Sequence, residues 1–298
     1  MTPSASIIVI NKDDPGLRDT LAALDQLHEV RSGAAEVIVV DASQGRLDHL
    51  RGQFPRIRWE AFIPLAGRSS IPHQRNVGVS LAEGETIVFI DASCVPDPGW
   101  LTELVRPIAG EGEVAVAGAH RSTDGGHLRD DAIDRRGAAR YLDEAPTINL
   151  AVSRSVLAEL GGFDETFRYG SDVDLTWRLI DSGRRLRYAP ESSVVHAWGD
   201  LRADMRRSFA YGRARAHLHL KHPGRWRRLL GPDLPALVYP PLILALPALL
   251  RRPRRLAVLA VPLLRNRGQH PVATLIDHLI YGAGILRGVA DHVGRAGS

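Results

Sequence analysis

Short apolar runs recur along the first two hundred residues, and most of them end on polar side chains. The runs at Ser6–Ile10, Glu36–Val40 and Ile87–Ile90 are typical of buried strands, because such runs bounded by turn residues suit a strand that is covered on both faces. Apolar positions at helical spacing follow the first run, from about Leu17 to Leu27. Strand, helix and strand in succession predict a βαβ unit, and therefore an α/β domain built on a parallel sheet.

The pattern predicts weaker elements further along the chain. Ile57–Phe62 indicates a weak third strand, and Val114–Ala119 and Thr147–Val152 indicate two more. Ser153 is expected to cap a short helix, which the glycine pair at 161 and 162 ends.

Two later segments carry less periodicity. Arg121–Ala145 is polar and predicts a mobile loop that orders over a bound ligand. Arg187–Ala189 and Ser193–Val195 predict two short extended pieces, with His196 just beyond the second. A lone histidine is more often a structural hydrogen-bonding residue than a ligand, but the end of a strand is a position that favours a functional role for His196.

Carboxylates cluster at two points of this pattern. Asp91 and Asp97 follow the central strand, at the carboxyl end where open α/β sheets usually bind ligands. Asp172 and Asp174 stand at the start of an amphipathic helix. The positive end of a helix favours a carboxylate, which explains one of these two residues and leaves the other as a candidate for chemistry.

A cationic candidate lies between the second and third strong strands. The stretch Gly67–Ser80 predicts a loop that leads into a helix, with Arg75 near the helix start. An arginine there suits a phosphate or sugar edge, because the helix N-terminus also favours anions. The alternative is an ordinary surface arginine.

Composition narrows the classes of protein. Apolar residues make up 44% and charged residues 24% of the 298 positions, which is typical of a globular protein. The single cysteine, Cys94, excludes an internal disulfide framework and a cysteine-based zinc site. No G-x-G-x-x-G motif follows the first strand, so a dinucleotide site is not indicated. The N-terminal residues lack the pattern of a signal peptide.

The C-terminal third differs in charge and in hydropathy. Residues 200–298 carry 17 of the 38 Lys and Arg but 5 of the 34 Asp and Glu. Leu234–Leu250 has no charge, its prolines are expected to break up helix, and basic residues at 251–255 separate it from the apolar run Leu256–Leu264. We therefore predict two domains, 1–228 and 229–298, the second a membrane-dipping hairpin or interfacial segment. The alternative is an apolar lid on the first domain.

Three blocks of sequence together resemble the family-2 glycosyltransferases. The blocks are Ile38–Ser43 (IVVDAS), Arg75–Ser93 (RNVGVSLAEGETIVFIDAS) and Thr147–His196, which contains NLAVSR, LGGFDETF and GSDVDLTWRLIDSG. Each motif is weak alone, but their order and spacing make the combination specific over about residues 4–200. The resemblance implies a three-layer α/β/α GT-A fold that binds a nucleotide-sugar donor and inverts the anomeric centre.

The resemblance also assigns roles to residues. It implies that Asp41 contacts the nucleotide base, that Arg75 contacts the nucleotide, and that Asp91-Ala92-Ser93 occupies the Asp-x-Asp motif for Mg²⁺ or Mn²⁺. Asp172 is implied as the catalytic base, with Asp174 as the fallback. Hard cations prefer oxygen ligands and neutralise a diphosphate leaving group, while a carboxylate takes the proton from the acceptor hydroxyl.

Two positions depart from the family pattern. Ser93 stands where the family usually has the second metal-binding Asp, and Ser171 stands where it often has Glu. A neutral hydroxyl is a poorer ligand than a carboxylate, so Asp91, Asp97 and His196 are candidates to compensate, or the metal binds mainly through the phosphates.

The sequence thus predicts an inverting glycosyltransferase at the cytoplasmic face of the cell membrane, acting on a lipid-linked or other glycan acceptor of the cell envelope. The alternative is a catalytically impaired GT-A-like binding or scaffold protein. A nucleic-acid-binding role is not favoured, because the basic residues of the tail flank apolar runs and do not alternate with stacking aromatic residues.

Overall fold

The computed structural model describes residues 3–66, 70–123, 141–196, 201–251 and 271–296. These residues fall into two compact units, one that ends at His196 and one that begins at Leu201. The division lies before the helix that starts at Leu201, whereas the predicted domain boundary lies at residue 228. Residues 201–228 therefore group with the C-terminal unit in this division of the structure.

The first unit is built on a mixed sheet of nine strands among its described residues. They are β1 (Ala5–Asn11), β2 (Ala35–Asp41), β3 (Arg58–Ala61), β4 (Thr86–Asp91), β5 (Cys94–Pro96), β6 (Ala115–Ser122), β7 (Tyr141–Leu142), β8 (Asn149–Ser153) and β9 (Leu186–His196). The order is β3-β2-β1-β4-β8-β6-β9-β5, with β7 paired to β9. The pairs β1–β2, β2–β3 and β1–β4 are parallel, and β8 is antiparallel to both β4 and β6. The predicted βαβ unit, β1–α1–β2, is confirmed, and the sheet as a whole is mixed.

Helices join these strands and cover the sheet. They are α1 (Leu17–Asp25), α2 (His28–Arg31), α3 (Asp48–Arg51), α4 (Ser70–Leu81), α5 (Trp100–Gly110), α6 (Arg154–Glu159) and α7 (Ser171–Asp181). Ile8, Ile38 and Phe89 of the sheet form one buried cluster with Leu175 and Leu179 of α7. Each apolar side chain of this size contributes about 1.5–3 kcal/mol when fully buried.

The opposite face of the sheet is covered as well. Ile7 and Val39 alternate with the residues of that cluster along β1 and β2, and they are also fully buried. Leu21 and Leu24 of α1 and Trp100 of α5 are likewise inaccessible to solvent. Because successive side chains of a strand point to opposite faces, burial of both sets makes a three-layer α/β/α arrangement, as predicted.

Several predicted elements differ in detail. The two extended pieces near the end of the unit are one strand, β9, whose pairing with β6 shifts register between Gly118 and Ala119. His196 is the last residue of that strand and does not lie beyond it. Ser153 stands at the N-cap of α6, but its side chain bonds Ser155 and makes no cap hydrogen bond. Arg121 belongs to β6, while positions 124–140 of the predicted mobile loop lie outside the described residues.

The second unit is helical. It contains α8 (Leu201–Lys221), a 3₁₀ segment Pro223–Leu230, α9 (Leu234–Leu250) and α10 (Pro271–Ala296). Three glycines let α8 and α10 approach closely, since a methyl group at any of them would overlap the backbone of the other helix. They are Gly212 of α8 and Gly284 and Gly288 of α10.

The prediction that prolines break up residues 234–250 is wrong. α9 is one helix of 17 residues with Pro240, Pro241 and Pro247 inside it. Proline has a φ that suits a helix and costs the hydrogen bond of its missing N–H. Packing compensates here: Tyr239 is fully buried, and its ring lies 4.9 Å from that of His278 on α10.

One described helix segment, Val272–Gly294, is long and apolar enough to cross a membrane by length and composition alone. Pro223–Leu230 and Leu234–Leu250 meet the same criteria as a pair, but they bend by 81° relative to each other. Of the basic stretch after α9, Arg251 is described; residues 252–255 and the apolar run Leu256–Leu264 lie outside the described residues.

Candidate active site

Polar residues collect where the parallel strands end. Asn11 closes β1 and pairs in register with Asp41 at the end of β2. On the other side of β1, Asp91 at the end of β4 pairs with Ile10. Neighbouring strands lie about 4.8 Å apart, so Asp41 and Asp91 share one edge of the sheet with a single strand between them. This edge is the predicted ligand-binding edge.

The Asp41 carboxylate is buried and held from one side. Its Oδ1 accepts hydrogen bonds from Asn11 Nδ2 (2.7 Å), from Ser43 Oγ (2.6 Å) and from the Ser43 backbone N–H (3.2 Å). Among the described residues, no hydrogen bond ends on Oδ2. The arrangement fixes the carboxylate and leaves one oxygen as an acceptor for a ligand.

Arg75 occupies a different position from the one expected. Because α4 starts at Ser70, Arg75 lies in its second turn, and the prediction that it sits near the helix N-terminus is wrong. It is also no ordinary surface arginine, since 6% of its surface is exposed. Its Nη2 lies 3.5 Å from Asp91 Oδ1 and its Nη1 lies 3.5 Å from Ser171 Oγ. Arg75 thus links the end of β4 to the start of α7.

Asp172 is the second residue of α7, as the sequence predicted. Its Oδ1 accepts a hydrogen bond of 2.8 Å from the Val173 backbone N–H. Burial raises the pKa of the Asp172 carboxyl, the positive charge of Arg75 lowers that pKa, and the negative charge of Asp91 raises it. The three side chains therefore belong to one electrostatic group, in which a carboxylate has more affinity for a proton than an ordinary aspartate.

Asp174 has a structural environment. Its side chain is 0% exposed, and its Oδ2 accepts a hydrogen bond of 2.9 Å from Arg178 Nε. Arg178 also donates to the backbone oxygens of Leu160 (2.6 Å) and Gly162 (2.7 Å). A buried carboxylate in a fixed ion pair tethers α7 to the end of α6, so Asp174 does not suit the role of fallback base.

Ser93 makes a contact that sequence reasoning missed. Its hydroxyl donates a short hydrogen bond to Asp14 Oδ1, which also accepts one of 2.8 Å from the Gly16 backbone N–H. Ser93 has a φ of 67°, a left-handed conformation that is uncommon for serine. The loop after β1 therefore meets the loop after β4, and it brings a further carboxylate, Asp14, to the predicted metal motif.

The other predicted metal ligands differ in how well they suit a cation. Asp91 fits, since its side chain is 38% exposed. Asp97 does not, because Arg121 Nη2 donates to both of its oxygens at 2.7 and 2.6 Å. His196 lies at the end of β9, where it pairs in register with Cys94 of β5. The Cys94 thiol is buried, and burial raises its pKa well above the ordinary value. Within the described ranges, no group of three His, Cys, Asp or Glu side chains is placed to hold a metal ion.

The fold resembles that of solved glycosyltransferases. A structure of mannosyltransferase PcManGT from Pyrobaculum calidifontis, solved in complex with GDP-Man and Mn²⁺, superposes with a TM-score of 0.71 at 19% sequence identity. The match covers 98% of this chain and 88% of that one. The mixed sheet and its helices are thus a GT-A fold.

Sequence comparison defines the family. The model of the family described as Glycosyl transferase family 2 matches residues 4–156, and the chain belongs to this family. The pre-mycofactocin glycosyltransferase of Mycobacterium tuberculosis is 33% identical over an alignment of 172 positions, which covers 51% of this chain and 35% of that protein. Glycosyltransferase AglE of Haloferax volcanii is 27% identical over an alignment of 152 positions, which covers 47% of this chain and 48% of that protein. The chain therefore spans half or less of the length of these curated relatives.

Proposed function

We propose that this protein is an inverting glycosyltransferase that moves a sugar from a nucleotide-sugar donor to an acceptor hydroxyl. The observation that carries the proposal is the group formed by Asp91, Arg75 and Asp172 at the carboxyl edge of the sheet. It combines a partly exposed carboxylate beside a cation with a second carboxylate of raised pKa. Family membership supports the same reaction class.

The donor nucleotide would bind along the edge between β2 and β4. Asp41 suits the N–H groups of a nucleotide base, because its Oδ1 is already fixed by three hydrogen bonds and the opposite oxygen is open. Arg75 suits the diphosphate through its charge, although its present contact with Asp91 means that a bound donor must share or replace that ion pair. The donor sugar would then lie between Asp91 and Asp172.

Asp172 is the proposed general base. A general base works best when its pKa lies near the pH at which the enzyme operates. Burial raises the pKa of this carboxyl, and the positive charge of Arg75 limits the rise. Its place at the start of α7, one residue after Ser171, fixes it to a rigid element. A single base on the acceptor side of the sugar and a leaving group on the other give in-line displacement, which inverts the anomeric centre.

A divalent cation, Mg²⁺ or Mn²⁺, suits this donor chemistry. When bound, it would neutralise the diphosphate as charge develops on the leaving group. Asp91 is the residue of the predicted motif that is open to hold it. The neighbour from Pyrobaculum calidifontis is described with Mn²⁺, which supports a divalent metal without choosing between the two ions.

The experiment that tests the proposal separates binding from turnover. The full chain is screened with GDP- and UDP-sugars for thermal stabilisation with and without Mn²⁺, since a ligand that binds only the folded state raises apparent stability. Release of the nucleoside diphosphate is then followed for the donor that binds. Binding with release that depends on Asp172 supports an enzyme. Binding without release under any acceptor condition supports the scaffold alternative.

We further propose that the second unit associates with a membrane and that the acceptor is lipid-linked. α9 carries no charged residue over its 17 positions, and Leu237, Leu244 and Leu250 are exposed along it. Arg251 follows directly, where an arginine meets anionic headgroups at the cytoplasmic leaflet. Flotation of the full chain with anionic vesicles tests this association, and comparison with an oligonucleotide tests whether the basic tail prefers nucleic acid.

A further inference from the structure

We infer that Asp14, on the loop after β1, supplies the second protein carboxylate for the divalent cation. It would replace the aspartate that is missing at position 93, where this chain has serine. The inference rests on the proposed nucleotide-sugar reaction, and it concerns residues that the sequence motif does not include. Asp14 and Ser93 are 79 positions apart in the chain, yet the Ser93 hydroxyl donates to Asp14 Oδ1.

The contact is part of a held arrangement. Asp14 Oδ1 accepts from the Gly16 backbone N–H, and the Asp14 backbone N–H donates to Asn11 Oδ1 at 3.2 Å. Asn11 in turn donates to Asp41. Asn11 therefore ties the backbone at Asp14 to Asp41, the residue proposed to bind the nucleotide base.

Gly16 makes the approach of the two loops possible. A side chain at this position would overlap the Ser93 hydroxyl and its backbone. The loop after β1 thus closes against Ser93 without any intervening side chain. This approach brings Asp14, two residues before that glycine, within hydrogen-bond distance of Ser93.

The remaining oxygen of Asp14 suits a cation. The hydrogen bonds from Ser93 and Gly16 both end on Oδ1, and in the described part of the chain none ends on Oδ2. Asp14 is half-buried, so part of its surface stays open to solvent. The negative charges of Asp91 and Asp14 both raise the pKa of the buried Cys94 thiol. This agrees with the two carboxylates lying near Cys94, the first residue of β5.

Oxygen chemistry gives this pair a consistent role. Mg²⁺ and related hard cations are commonly held by one or two carboxylates together with substrate phosphates. Asp91 and Asp14 provide two, while Ser93 orients the second by hydrogen bonding. A ligand that is itself hydrogen-bonded by a neighbour is the usual design of a metal site, and here the neighbour stands at the position of the missing acid.

Mn²⁺ binding by the full chain tests the inference without any measurement of turnover. Free Mn²⁺ is followed by electron paramagnetic resonance in titrations with UDP or GDP present. Loss of an outer partner of a metal ligand already costs about 10–100-fold in affinity, and Asp14 is the proposed ligand itself, so Asp14→Asn should weaken Mn²⁺ binding by about tenfold or more. The double variant Asp14→Asn with Ser93→Asp should recover most of the affinity, because it returns the carboxylate to position 93.

Asp13→Asn is the matched control. Asp13 lies on the same loop and carries the same charge, but it forms an exposed ion pair with Arg46 at 2.7 Å. The affinity of the Asp13→Asn variant for Mn²⁺ should stay near that of the unaltered protein. Ser93→Ala, which keeps Asp14 but removes one of its two hydrogen-bond donors, should weaken binding in the same direction and to a smaller extent. Melting curves by circular dichroism verify that each variant folds.

The outcomes separate the inference from the function on which it rests. If Asp14→Asn binds Mn²⁺ as the unaltered protein does while Asp91→Asn does not, the inference fails and the donor site stands. Equal losses in Asp14→Asn and Asp13→Asn also overturn it, because they show a general charge effect. If the unaltered protein binds neither nucleoside diphosphate with Mn²⁺, the proposed donor site fails and the inference falls with it.

Discussion

The guanidinium of Arg75 lies 3.5 Å from the carboxylate of Asp91, and the same positive charge lowers the pKa of Asp172. The buried cation of Arg75 therefore interacts both with Asp91, proposed to act on the donor, and with Asp172, proposed to act on the acceptor. Since 6% of Arg75 is exposed, solvent screens these interactions less than it would at the surface.

Replacement of Arg75 should move the pH profile of the reaction. A base works only when ionised, so activity is lost as pH falls through the pKa of Asp172. Without the positive charge that lowers it, this pKa rises, and the acid limb of the profile moves to higher pH in Arg75→Gln. The measurement is the pH dependence of kcat/KM, which reports the free enzyme. Arg75→Lys, which keeps the charge, should shift the limb less, and an unmoved limb in Arg75→Gln would contradict the coupling.

Replacement of Asp172 should separate catalysis from binding. A positioned general base contributes about 10²–10⁴-fold in rate, so Asp172→Asn should lower nucleotide release with acceptor by that range. Donor affinity should change little, because the proposed base contacts the acceptor and not the nucleotide. Thermal shift with the donor and a turnover assay check the two halves. Near-normal turnover would remove Asp172 from the base role.

Asp174 and Arg178 should prove structural. Arg178→Met removes the partner of a fully buried carboxylate and leaves two backbone oxygens without their donor. Breaking a buried pair from one side costs about 3–5 kcal/mol in the free energy of unfolding, and the 21% exposure of the Arg178 side chain places the expected loss at the low end. Urea unfolding of Arg178→Met and of Arg184→Met, whose ion pair with Glu159 is more exposed, gives the comparison. Equal stabilities would show that the pair does not tether α7.

Membrane association should depend on the exposed face of α9. Leu244 is 70% exposed, and a charge in place of an apolar residue at the centre of a buried membrane segment costs about 2.5–3.5 kcal/mol. Leu244→Glu should therefore reduce binding to anionic vesicles by about tenfold or more in co-flotation. Leu220→Glu, at an exposed position of α8, is the control. Truncation after Arg228 is a poorer test, because it removes α10, the helix against which α8 packs.

The sequence predicted the parts of the fold that local pattern determines. β1, β2 and β4 carry continuous apolar runs, and their bounds agree within a residue or two of the predicted strands. β9 was predicted as two pieces, because Pro190 interrupts the run at the point where the pairing with β6 shifts register. The start of α4 had a signal in Pro72, since proline is favoured in the first turn of a helix, and that signal places Arg75 inside the helix.

The site was less predictable, because its contacts join distant segments. The motif identified Asp91 and Ser93 but could not show that the loop after β1 folds onto them. That contact depends on the left-handed φ of Ser93 and on the absence of a side chain at Gly16, and neither has a signal at the level of hydrophobic periodicity. The choice of Asp172 over Asp174 as the candidate base likewise required the position of Arg178, which pairs with Asp174.

The three glycines between α8 and α10 limit how this protein can be changed. At Gly212, Gly284 and Gly288 even alanine would collide with the facing backbone, so no single substitution is tolerated unless the helices separate. A library that randomises the C-terminal unit should leave these three positions untouched and vary the exposed positions of α9. Functional variants from such a library should keep glycine at the three positions between α8 and α10. Frequent bulky residues there would show that the two helices separate in the functional protein.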